Sequence, residues 1–224
     1  MDKPNTSQGN PPDKIPVYES LLDFVDNALF LFKPFTKDIN GHLVTAEDLI
    51  IQDFEKILND KARKNNESFA FQNQHKEGRY STDISVYKTS SYEDFCWIEA
   101  KRLPTPDAGI KRDEREYVFV SNEKINGENK YKGNGGIQRF KENKHAPNLL
   151  FSIMIGYIQE NDSDYWLDKI NAWIKQLVVE DSTFWNEKDC LRKQESQKSD
   201  RYKSIHNRKN KLNPIILHHF WIKL

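Results

Sequence analysis

Thr82-Asp83-Ile84-Ser85-Val86-Tyr87-Lys88 and, beyond the polar turn Ser90-Ser91-Tyr92, Asp94-Phe95-Cys96-Trp97-Ile98-Glu99-Ala100-Lys101 are the two runs whose reading decides the fold of this chain. Both are rich in aromatic and β-branched residues and are bounded by turn residues. This predicts strands over Tyr80–Lys88 and Asp94–Leu103, preceded by one over Phe69–Lys76. A simple hairpin centred on Ser91 sets Asp83 across from Glu99, Ile84 across from Ile98 and Val86 across from Cys96. Because side chains alternate, Thr82, Ile84, Val86, Cys96, Ile98 and Ala100 should share an apolar face. Ser81, Asp83, Ser85, Glu99 and Lys101 should share the other, with Tyr87, Phe95 and Trp97 further along it.

Two carboxylates and an ammonium beside apolar ribs need partners, since uncompensated burial of a charge costs several kcal/mol. Carboxylates facing each other across a strand pair are spaced to hold one hard cation. Mg²⁺ takes oxygen ligands and is usually held by only one or two protein carboxylates, with water and phosphate oxygens completing its shell. Lys101, roughly 6.5 Å along the strand from Glu99, then reaches a metal-bound water, where it positions the attacking water and stabilises negative charge on a phosphate. The alternative is an ordinary strand with a surface ion pair between Glu99 and Lys101.

Thr82-Asp83 and Glu99-Ala100-Lys101, in this strand context and at this separation, resemble the PD-(D/E)XK nuclease superfamily over roughly residues 45–175. Thr82 stands where the superfamily has proline, a departure often tolerated. The resemblance implies a restriction-endonuclease-like fold, a three-layer α/β/α sandwich with a central mixed sheet. It implies hydrolysis of phosphodiester bonds in nucleic acid, DNA ahead of RNA, with Mg²⁺ as cofactor and Mn²⁺ as its substitute. Asp83 and Glu99 are then metal ligands and Lys101 the catalytic cation. Restriction or phage defence follows only by association. The oligomeric state stays open, dimers being common among restriction-type relatives. A second class of function, a non-catalytic nucleic-acid or protein-binding regulator that keeps the fold, predicts binding that survives Asp83→Asn and Lys101→Ala.

Working outward, a helix should run from Ala46 to about Lys64, with Leu49, Ile50, Phe54, Ile57 and Leu58 on its apolar face. Helices at this place in the superfamily often supply an extra acidic ligand, and Glu47 borders the buried face; a simple interaction with the helix dipole is the alternative. After Lys101, Arg102-Leu103-Pro104-Thr105-Pro106 breaks the strand. A long polar stretch follows to about Asn134, with Tyr117-Val118-Phe119-Val120 as its apolar island, either a substrate-gripping flap or a disordered segment. Gly133-Asn134-Gly135-Gly136 then leads into a helix start whose N–H groups suit phosphate. By resemblance Gln138 orients water or substrate and Arg139 pairs a phosphate; an exposed helix face is the alternative for both.

Leu149–Ile158 is nearly continuous in apolar residues, as for a strand covered on both sides. A helix from Tyr165 to Val178 places Trp166, Leu167, Ile170, Trp173, Ile174 and Leu177 at helical spacing, a core stripe. Residues 180–200 are polar, and strands are expected over Tyr202–Arg208 and Ile215–Lys223. Ser204, His206 and Arg208 alternate onto one face, from which His206 and Arg208, together with Arg102, are candidate nucleic-acid contacts. His218 and His219 point to opposite sides. Upstream, residues 1–16 read as a flexible lead-in to one domain over 17–224, opened by a helix from Glu19 to Phe35.

Lys and Arg number 34 and so do Asp and Glu, so net charge does not steer the chain to nucleic acid. The distribution is uneven: 11 acids against 5 bases through residue 60, and 10 bases against 3 acids over 188–224. A basic C-terminal surface suits a phosphate backbone, though a solvated face looks the same. Cys96 and Cys190 are the only cysteines, which excludes a disulfide scaffold or a cysteine zinc site and fits a reducing cytoplasm. No run suits a membrane span or a signal peptide, and no nucleophile elbow, Walker loop or dinucleotide fingerprint is present.

Overall fold

The expected hairpin register forms: Ile84 pairs with Ile98 and Val86 with Cys96. It joins β2 (Ile84–Lys88) to β3 (Asp94–Leu103), with β1 (Phe69–Asn73) antiparallel on the far side of β2. A computed structural model describes residues 14–33, 47–73, 76–77, 80–103, 115–120, 124–125, 128–129, 135–196 and 198–223. Among them the remaining strands of the main sheet are β4 (Phe151–Ile158), β5 (Arg192–Gln194), β6 (Asp200–His206) and β7 (Ile215–Lys223). The sheet is seven-stranded and mixed, in the order β1-β2-β3-β4-β7-β6-β5. β4 runs parallel to both β3 and β7; the other neighbours are antiparallel.

Four helices accompany the sheet among the described residues: α1 (Lys14–Leu31), α2 (Glu47–Asn65), α3 (Gly136–Lys141) and α4 (Ser163–Glu180). Strand alternation distributes the apolar side chains between two clusters. Ile84, Val86, Cys96, Ile98 and Ala100 pack with Ile153 and Ile155 of β4 under α1 and α2. Trp97, Met154, Leu217 and Trp221 pack on the opposite face with α3 and the α4 stripe Trp166, Ile170, Trp173, Ile174 and Leu177. All eight residues of β4 are buried, as a strand flanked and covered on every side must be.

One expected position is corrected. Between Val86 and Tyr87 the register shifts, Tyr87 pairing with Asp94, so Phe95 is an extra residue on β3. This bulge turns Phe95 onto the face of Cys96, where its ring lies 6.3 Å from that of Phe69.

Asparagines close both edges of the sheet. Asn59 of α2 donates to the Phe71 carbonyl at 2.9 Å and accepts from its N–H at 3.0 Å, acting as a short surrogate strand beside β1. Asn171 of α4 brackets Leu191, just before β5, at 3.0 and 2.8 Å. Asp26, buried on α1, accepts from Ser196 and Ser199 and so ties that helix to the C-terminal half.

Residues 115–120, ahead of α3 in sequence, pack against its start. Tyr117 and Val118 are fully buried, so these two belong to the core rather than to a gripping flap. The carbonyls of Glu116, Tyr117 and Val118 accept from the N–H groups of Gly136, Ile137 and Gln138 at 2.8, 3.1 and 2.9 Å. The α3 start is therefore occupied by protein, and the expected phosphate cradle there is withdrawn. The glycines serve close approach instead: a Cβ on Gly135 would lie 2.3 Å from Phe119 Cα. Two-residue ladders pair 76–77 with 80–81 and 124–125 with 128–129; apart from 115–120 and the second ladder, 104–134 falls outside the described residues. No helix among the described residues is long and apolar enough to cross a membrane.

Candidate active site

The site forms where β2 leaves β3. Backbone pairing between them ends at Ile84 and Ile98, and two side chains then continue the ladder. Thr82 Oγ1 donates to the Ile98 carbonyl at 2.8 Å, and Asp83 Oδ2 accepts from the Ala100 N–H at 2.8 Å. The N–H and C=O of one strand residue face the same neighbour, so the Ala100 carbonyl also opens into this wedge. Lys101 Nζ donates to it at 3.0 Å.

Glu99 lies on the α3 side of β3, 1 % exposed, and both its oxygens are engaged. Oε1 is 2.9 Å from Lys101 Nζ and 2.9 Å from Arg139 Nη1, while Oε2 is 3.1 Å from His145 Nε2. Burial pushes the Glu99 carboxyl up, but Lys101, His145 and Arg139 together outweigh it and hold it well below the usual carboxylate range. The site therefore keeps an ionised carboxylate in a nearly dry setting.

Among the described residues no group of three or more His, Cys, Asp or Glu side chains is arranged to hold a metal. The Asp83 carboxylate sits on the Ala100 N–H, on the same edge of β3 as that residue's carbonyl. The Lys101 ammonium bridges Glu99 Oε1 and the Ala100 oxygen, a cation already at the point where they converge. That donor set suits Mg²⁺ or Mn²⁺, which need only one or two protein carboxylates.

Asp83, Glu99, Lys101 and Arg139 are thus brought together, and His145 joins them unannounced by the sequence. The other expected residues lie elsewhere. Gln138 is buried; its oxygen accepts from the N–H groups of Val120 and Gly135 at 3.2 and 3.3 Å, and its amide donates to Glu142 at 3.3 Å. Its bonds brace the start of α3. The side chain of Glu47, at the first residue of α2, lies outside the described residues. Arg102 alternates with Lys101 and so takes the opposite face, buried.

His206 and Arg208 require correction as nucleic-acid contacts, because both are buried. Arg208 donates through Nη1 to the carbonyls of Ala146 and Pro147 and through Nε to that of Asn213. His206 belongs to a hydrogen-bonded chain whose direction can be derived. Trp221 Nε1 can only donate, and does so to Tyr117 Oη at 2.9 Å; the Asp189 carboxylate can only accept. Between these ends Tyr117 donates to His219 Nδ1 (2.8 Å), His219 Nε2 to Ser204 Oγ (2.7 Å), Ser204 to His206 Nε2 (2.6 Å) and His206 Nδ1 to Asp189 Oδ1 (2.7 Å). Every link is satisfied with both imidazoles neutral. Burial pulls both histidines below their ordinary value, which agrees. Lys141 closes the chain on Asp189 at 2.9 and 2.8 Å. The Ser204–His206–Asp189 order imitates a hydrolase triad, yet Ser204 is buried and cannot meet a substrate.

The chain matches no protein-family model, no curated protein and no solved structure.

Proposed function

We propose that the chain is a divalent-metal-dependent nuclease of the PD-(D/E)XK kind, its layers those of a restriction-endonuclease-like sandwich. The observation that carries this reading is the wedge: where β2 parts from β3, Asp83 accepts from the Ala100 N–H and Lys101 joins Glu99 to the Ala100 carbonyl. DNA stands ahead of RNA as substrate on the resemblance alone.

Asp83, Glu99 and the Ala100 carbonyl would hold the ion. When bound, Mg²⁺ or Mn²⁺ supplies Lewis-acid stabilisation of phosphate charge and a more acidic water. With the ion in place, Lys101 would face the attacking water and offset charge growing on the phosphate. Arg139, with its side chain 26 % exposed, is the cation that reaches outward and pairs a phosphate oxygen. The burial of Glu99 excludes water from behind the reacting group.

Incubating the purified chain with single- and double-stranded DNA and with RNA, in Mg²⁺, Mn²⁺ or EDTA, tests the reading. Metal-dependent cleavage abolished by Asp83→Asn and by Lys101→Ala supports it. Absence of cleavage from every substrate, or cleavage indifferent to both substitutions, removes it. One observation favours the second class of function: Glu99 is already fully paired within the protein. A non-catalytic binding protein would bind nucleic acid or a protein equally well with Asp83→Asn and Lys101→Ala.

A further inference from the structure

The turn after α3 is held in an unfavourable backbone. Asn143 and Ala146 have φ of 59° and 48°, and Ala146 carries a Cβ into a fully buried place. Left-handed conformations at non-glycine residues persist only where the surroundings over-determine them, and they gather at functional sites. Here the surroundings do so. Arg208 Nη1 grips the Ala146 and Pro147 carbonyls at 3.0 and 3.1 Å, and Asn143 Nδ2 donates to the Lys209 carbonyl at 2.9 Å. The Lys144 and His145 N–H groups fold back onto the Arg139 carbonyl at 2.8 and 3.2 Å.

Between the two strained residues stands His145, 3 % exposed. Its ring meets those of Phe140 and Trp97 edge-on, at 5.3 and 6.3 Å. Packing would be served as well by phenylalanine, and Nδ1 is buried with no hydrogen-bond partner. What the imidazole adds is Nε2, 3.1 Å from Glu99 Oε2 and 3.1 Å from Arg139 Nη1. The Glu99 contact calls for a proton on Nε2. A proton on Nδ1 would bury an unpaired donor and set two lone pairs against each other at Nε2 and Oε2. A proton on Nε2 gives Glu99 a donor and leaves the Arg139 guanidinium to Oε1.

We propose that His145 is a positioning residue for Glu99: its Nε2–H fixes the rotation of the carboxylate so that Oε1 faces the Ala100 wedge, and the Arg208-clamped turn exists to hold the imidazole there. The catalytic consequence rests on the nuclease reading; the bond to Glu99 does not. His145→Phe keeps the ring volume and removes the donor, whereas His145→Gln restores an N–H near the Nε2 position. Nitrogen-15 spectra of the wild-type imidazole should show a proton on Nε2. With a cleaved substrate in hand, His145→Phe should lower kcat by roughly 10- to 100-fold at little change in KM, and His145→Gln should recover most of it. A bare Nε2 in the spectrum, wild-type cleavage by His145→Phe, or a glutamine variant no better than phenylalanine overturns the proposal. Should the wild-type chain cleave nothing, the nuclease reading fails by itself. A crystal structure of His145→Phe then decides for His145: a rotated Glu99 carboxylate supports its role and an unmoved one refutes it.

Discussion

Glu99 illustrates how a core can retain a charge. Breaking a buried ion pair costs about 3–5 kcal/mol when the surviving charge has no partner. At Glu99 three partners share the burden, so removal of any one leaves the others. Lys101→Ala should therefore unfold at a denaturant midpoint only modestly lower, a loss of about 1–3 kcal/mol, while activity falls far more. Asp83→Asn separates fold from chemistry more cleanly. The asparagine oxygen still accepts from the Ala100 N–H, so thermal stability should hardly move, yet the anionic oxygen for the cation is gone. Cleavage should drop by about 10²-fold or more, measured beside Mn²⁺ binding by calorimetry; an Asp83→Asn protein that binds the ion as before would count against the wedge as its site.

Elements are placed in this chain by polar devices as much as by apolar stripes. Asn59 and Asn171 each reach from a helix to the backbone at a sheet edge, the first on β1 and the second on Leu191. Asn59→Ala should leave the Phe71 N–H and C=O without protein partners and cost about 1–2 kcal/mol in urea unfolding. Placement of α3 depends instead on bare backbone contact. Gly135→Ala drives a methyl into Phe119, and the expected loss is about 1–3 kcal/mol, with cleavage reduced further because Arg139 travels with the helix. An alanine variant as stable and active as the parent would show that the Gly135–Phe119 contact is loose.

For the whole molecule, the informative variable is acid. His206 and His219 are held neutral inside the chain from Trp221 to Asp189. His218, on the other face, is pushed down to about 4 by burial and then by Lys203 and Arg201. A histidine whose folded value is depressed binds protons more readily when unfolded, so stability rises with pH. The contribution is complete above the ordinary value near 6.5 and is lost as pH falls toward the folded values. The melting temperature should decline between pH 6.5 and 4, before most carboxylates titrate, with His218 alone contributing up to about 3 kcal/mol. His218→Gln should flatten part of that decline. A melting temperature level across this range would contradict the burial of His206 and His219 and the partial burial of His218.

Local patterns along the chain were enough to determine the elements and part of their pairing. β3 and β7 have the boundaries that their alternation predicts, and the tight turn at Ser91 set the register of Ile84 on Ile98. The carboxylates and lysine of the wedge were legible for the same reason, since period-two alternation is a local property. Tertiary structure decided the rest. Phe95 changed face because a bulge depends on the partner strand, and β5 went unread because a three-residue edge strand carries no periodicity of its own. His206 and Arg208 look like surface cations in a basic segment, but Asp189 and the Ala146 turn, far away in sequence, draw them inside. His145 reaches Glu99 from a loop 46 residues downstream. Charge and alternation are written in the chain, whereas which buried charges meet is settled only when distant segments pack, because every ion taken out of water must find its partners there.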